Sequence, residues 1–131
     1  MKIEVSNGEL VDKWTIVTIK LERIKDDTAL ENIKRESKIL IECIQQLGTP
    51  GELVSELLHI NIALWDAEDV LRGMEKKQEF GEEFINVARS IYLLNDDRSR
   101  IKKEINEQTN SLLVEEKSYE RYENKIDEIS C

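Results

Sequence analysis

Apolar residues recur along the chain in alternating steps of three and four. A first stretch carries Leu10, Trp14, Val17, Leu21 and Ile24, and a second Leu30, Ile33, Ser37, Leu40, Ile44 and Leu47. A third carries Leu53, Leu57, Ile60, Leu64, Ala67, Leu71 and Met74, and a fourth Phe84, Val87, Ile91, Leu94, Arg98, Ile101 and Ile105. Steps of three and four keep side chains on one helix face and suit knobs-into-holes packing at shallow angles. The pattern predicts helices over about 7–25, 28–47, 50–77 and 81–109. Only Ser37 and Arg98 are polar at seam positions.

The starts carry a common signature. Ser6 with Glu9, Thr28 with Glu31 and Thr49 with Glu52 have the capping-box form, and Pro50 fits the first helical position. Short links make consecutive helices antiparallel, so the expectation is an all-α, up-down-up-down four-helix bundle in a single domain. The third and fourth helices are predicted to be about 40 Å long at 1.5 Å per residue. Their far ends then need another cover.

Two short segments suited to extended structure, 2–5 and 112–115, are expected to pair as a small two-stranded clip. Tyr119, Tyr122, Ile126 and Ile129 predict a short amphipathic helix over 117–129. The β-branched "KWTIVTIK" and the "NG" at 7–8 also admit a β-hairpin over 2–20, but the five-residue seam and capping box favour helix. Ile16 and Ile19 lie off that seam. A helix apolar on more than one side is buried centrally or meets a partner.

Composition narrows the function classes. One proline, five glycines and a formal net charge of −9 in 131 residues suit a helical domain and lack the basic footprint of nucleic-acid or anionic-membrane binding. No apolar run reaches membrane-span length, and "MKIEVSNGEL" has no signal-peptide core, so a cytoplasmic location is expected. Cys43 reads as a small buried hydrophobe and Cys131 as a free thiol, with no zinc, haem or disulfide pattern and no cofactor implied.

Local charge pairing isolates one arginine. Arg72 has Glu68 and Glu75 at helical spacing, Arg35 has Glu31, and Arg100 has Asp96 and Glu104, whereas Arg98 has no acid three or four residues away. Its partner must come from another helix, from water or from a ligand. Reflecting Arg98 through the successive links of an up-down bundle reaches Asn61, then Ser37, then Thr15 to Thr18. Asp12, Glu36 and Glu56 are the acids within reach of that layer.

A structural polar layer that fixes register is one reading, and it predicts that Arg98→Leu is neutral or stabilising. A site for a small anion or phosphorylated metabolite, lined by Arg98, Asn61, Ser37 and Asn95, is the other. A second constellation is "LWDAEDVLR" at 64–72. Its Glu68 and Asp69 are the candidates for a divalent metal, although helical nucleotide pyrophosphatases repeat such pairs on facing helices, and the simpler reading is a solvated flank beside a half-buried Trp65. His59, the lone histidine, has no catalytic or ligating companion at a recognisable spacing. No catalytic motif emerges.

The segments "GELVDKWTIVTIKLERI", "LWDAEDVLR", "ARSIYLLNDDRSRIKKEIN" and "VEEKSY", in that order, resemble an uncharacterised family of small bacterial and phage proteins, up to about Tyr119. The resemblance implies an all-helical domain and transfers no functional residue. Together these features predict a non-enzymatic protein-interaction module, self-associating as a homodimer, with Ile16, Ile19, Tyr119 and Tyr122 as interface candidates.

Overall fold

The computed structural model describes residues 1–122 and is all-helical there, with no strand among the described residues. Four helices follow one another: α1 (Asn7–Arg23), α2 (Asp27–Ile44), α3 (Gly51–Lys77) and α4 (Glu82–Gln108). Residues 7–20 are helical, so the hairpin alternative falls. None of the described helices is long and apolar enough to cross a membrane.

The helix starts only partly follow the predicted boxes. Ser6 caps α1 as expected, its hydroxyl accepting from the Glu9 amide at 3.0 Å. α2 is capped by Asp26 rather than Thr28, because a carboxylate one residue before the first turn accepts equally well from the Ala29 amide, at 2.8 Å. Pro50 is the N-cap of α3, and the Thr49 hydroxyl is buried with no hydrogen-bond partner among the described residues. At the other end of α3, Gln78 takes a left-handed φ of 58° and the Glu79 amide donates to the Met74 carbonyl at 2.9 Å, the Schellman arrangement.

α1 occupies the centre. It packs on α2, α3 and α4, and α3 also pairs with α4, whereas α2 makes close backbone contact with α1 alone. The core accordingly splits in two. Val17, Ile33 and Leu40, with Leu10, Trp14, Leu21 and Ile24 packed on them, fill the α1–α2 side. Val11, Leu53, Leu57, Ile101 and Ile105 fill the α1, α3 and α4 side, joined by Ile44 and Leu47 from the end of α2. The predicted seam of the first helix is thus its α2 face; Val11, Thr15 and Ile19 form a second buried face. Ile19, an expected interface residue, is only 3% exposed, and central burial rather than a partner accounts for it.

The strand clip is absent among the described residues, and 117–122 are not helical; the rest of the predicted C-terminal helix lies outside them. The N-terminus of α1 is tied to the end of α4 by side chains instead. The Ser6 hydroxyl donates to Glu115 at 2.6 Å, the Asn7 amide to Ser111 at 2.9 Å, and the Asn7 side chain to Thr109 at 2.9 Å. Tyr122 returns to α4, donating to the Asp96 carboxylate and meeting Tyr92 edge-on at 5.7 Å between centroids. Tyr119 is exposed. Cys43 is also exposed, not buried, because it lies on the solvent side of a helix whose backbone approaches only α1 among the described helices.

Candidate functional site: a polar layer opening into a groove

The seam arginine finds its acid on α1. Asp12 is 1% exposed and accepts two hydrogen bonds from Arg98 in a forked contact, Nε to Oδ1 at 2.9 Å and Nη2 to Oδ2 at 2.5 Å. Asn61 on α3 donates to Asp12 Oδ1 and to Thr15 Oγ1, each at 2.8 Å, and the Thr15 hydroxyl donates to the Asp12 carbonyl at 2.7 Å. One turn away, Lys102 pairs with Glu9 at 2.6 Å and lies 4.0 Å from Asp12. The hydrogen bond to Asp12 raises the Arg98 pKa above its ordinary value against the opposing pull of burial, with the charges of Asp12 and Glu9 adding to it. The guanidinium stays charged.

Of the four predicted members of the layer, three line one groove and the fourth does not. Arg98 and Asn61 meet through Asp12, with Thr15 beside them. Asn95 stands one turn before Arg98 on α4 and makes no hydrogen bond among the described residues, but lines the same groove as both. Ser37 is buried on α2, in a shallow depression with Leu21 and Ile41, on the far side of α1 from Arg98. The reflection assumed four helices around one axis; with α1 in the middle, α2 cannot reach the layer.

Arg98 also opens into a groove of about 400 Å³ between α1, α3 and α4. Ile16 and Ile19 from α1, Leu64 and Trp65 from α3 and Ile91 from α4 give it apolar walls. Asn61, Asn95 and Arg98 stand at one end, and Glu68, Asp69 and Arg72 at the other. The two constellations separated in the sequence are therefore the two ends of one cleft. Among the described residues no group of three or more His, Cys, Asp or Glu side chains is arranged to hold a metal ion, and Glu68 is engaged by Arg72 at 3.7 Å.

Some site neighbours carried little sequence signal. Lys102 and Asn106 carry no motif, and Glu9 and Gly8 point only to a cap and a turn, yet Glu9 pairs with Lys102 and the Gly8 amide donates to the Asn106 side-chain oxygen at 2.6 Å. A glycine in the first turn of an amphipathic helix was the available clue, and it was read as turn chemistry. Arg100 pairs with Asp97 rather than Asp96 or Glu104, at 3.8 Å, and Arg35 bonds Asn32 at 3.3 Å. Arg23 reaches Asp66 on α3, a cross-helix pair that local spacing could not show.

Comparison with curated proteins and with solved structures finds no match to either. Comparison with protein families finds one that spans residues 1–126, past Tyr119 and into the charged tail. By that match over nearly the whole chain, the protein belongs to the family of unknown function DUF6165.

Proposed function

We propose that this chain is a non-catalytic helical module that associates with a second copy of itself through the α3–α4 hairpin. The observation that carries the reading is the uncovered outer half of that hairpin. α3 and α4 have 27 residues each, whereas α1 has 17 and α2 has 18. At about 1.5 Å per residue the hairpin outruns its cover by roughly 15 Å.

Beyond Ala67 on α3 and before Ile101 on α4, no residue is fully buried. Leu71, Met74, Phe84, Val87 and Ile91 between the two helices are half-buried, and Val70, Phe80, Ile85, Tyr92 and Leu93 are exposed. Two helices alone cannot enclose a seam; a second hairpin related by a two-fold axis would complete a four-helix arrangement with the same residues on both sides. An exposed, unpaired Cys43 suits a reducing cytoplasmic setting for such a module.

Sedimentation velocity over a dilution series tests the proposal. The expected result is a monomer–dimer equilibrium that Ile85→Glu shifts to monomer while helical circular dichroism is unchanged, since Ile85 is 53% exposed. A chain that stays monomeric at every concentration sinks the reading. So does a dimer indifferent to Ile85→Glu.

A further inference from the structure

The groove beside the polar layer contains an acceptor to which no described residue donates. Asn61 is 5% exposed, and its Nδ2 donates to the Asp12 carboxylate and the Thr15 hydroxyl. A carboxylate only accepts, so this bond fixes which way the amide faces. The remaining polar atom, Oδ1, has no donor among the described residues, on a side chain that lines the groove. That oxygen is not sealed off, so a donor sitting in the groove can reach it.

The same end of the groove also offers donors. Arg98 spends Nε and Nη2 on Asp12, leaving Nη1 unengaged among the described residues, and the Asn95 amide is likewise unengaged. Because Asp12 already balances the guanidinium charge, an anion at this end would have to compete with a bidentate carboxylate. An uncharged group that both donates and accepts fits better. Ile16, Ile19, Leu64 and Ile91 then line an apolar passage toward Glu68 and Asp69, about 10 Å further along α3. There Trp65 adds an aromatic wall beside the two carboxylates, a combination that favours a cation. Arg72 opposes it weakly, held at 3.7 Å from Glu68 on a side chain that is mostly exposed.

We propose that this groove binds an organic cation in which an apolar chain joins a primary ammonium, seated at Glu68 and Asp69, to an uncharged hydrogen-bonding group, seated at Asn61, Asn95 and Arg98. A lysine side chain in a polypeptide and a free amino alcohol share this chemistry. The inference is independent of self-association.

Titration calorimetry on the Ile85→Glu background keeps the two apart. The cationic probes are Nα-acetyl-lysine methylamide and 6-aminohexanol; the controls are Nα-acetyl-norleucine methylamide, which lacks the ammonium, and 6-hydroxyhexanoate, which reverses the charge. Both cations are expected to bind and the controls not to. The double variant Glu68→Gln/Asp69→Asn, at exposed positions that leave the fold intact by circular dichroism, should weaken both cations by about tenfold, or 1.4 kcal/mol. Tighter binding of the blocked lysine assigns the site to a polypeptide side chain, and tighter binding of 6-aminohexanol assigns it to a free amine. Absence of binding by either cation overturns the proposal, as does equal binding of 6-hydroxyhexanoate or an affinity that the double variant leaves unchanged.

Discussion

Arg98 shows how one side chain can be conspicuous in a sequence while its role depends on a residue that is not. Lacking a local acid, it had to look across the fold, and Asp12 was among three acids in reach. The burial of Asp12 was hidden because its buried neighbours, Val11, Thr15 and Ile19, belong to a second face that the main seam obscures. That burial reverses the effect expected of Arg98→Leu. With the arginine gone, a 1% exposed carboxylate keeps only Asn61 and a lysine 4.0 Å away. Loss of about 2 kcal/mol is expected in urea unfolding, less than for a fully enclosed pair because the Arg98 side chain is 30% exposed. The double variant Asp12→Leu/Arg98→Leu should recover most of it, since no charge is left stranded. Equal losses in the single and double variants would show that the pair is not the cause. Since the Arg98 pKa is raised, its contribution is complete at neutral and mildly alkaline pH and is lost only in strong alkali, so the stabilisation should not change between neutral and mildly alkaline pH in this respect.

Gly8 makes a second argument from a single residue. A Cβ placed there would lie 2.4 Å from the Lys102 carbonyl oxygen and 2.9 Å from the Asn106 side-chain oxygen. The first is backbone and cannot step aside without moving α4. Gly8→Ala, which would raise helix propensity at an open site, should here destabilise the chain by about 1–3 kcal/mol in the same unfolding assay. An unchanged or higher midpoint would mean that the two helices are not held this close.

At the scale of elements, helix existence was legible because periodicity integrates over many residues, whereas helix ends rest on one or two. All four helices lie where the apolar steps put them. The caps diverged: Asp26 displaced Thr28, and the Thr49 hydroxyl is buried without a bond among the described residues, because a capping-box pattern does not say which of several competent side chains the chain geometry brings to the first turn. α3 ends at Lys77, where the pattern puts it, but its left-handed cap was not legible, since glutamine is an ordinary helix residue and seldom takes positive φ. With φ at 58°, Gln78→Gly removes a steric penalty, and thermal unfolding should show a gain of about 0.5–1 kcal/mol. A loss would indicate that the Gln78 side chain, whose amide donates to the Glu75 carbonyl at 2.8 Å, outweighs the backbone term.

Taken as a whole, the molecule is asymmetric in a way its seams concealed. Equal three-and-four spacing suggested four equivalent helices around one axis, and the seam spacing does not say which helix sits inside. Ile16 and Ile19, off the stripe of α1, were the signal of a central helix, but the same signal also fits a partner surface. The consequence is a gradient of stability. The α1, α3 and α4 core near Val11, Leu57, Ile101 and Ile105 is closed on all sides, α2 leans on one neighbour, and the outer hairpin is open. Local opening draws on such sparsely buried regions first. Native-state hydrogen exchange in dilute protein should therefore show slow amides around Leu57 and Ile101 and faster ones over 70–77 and 82–90. If the hairpins pair, raising the protein concentration should slow exchange in those two outer segments selectively and leave α2 unchanged, because mass action protects only what the second copy covers. Uniform slowing would point to global stabilisation instead, and no slowing at a concentration where dimer is present would place the contact elsewhere on the surface.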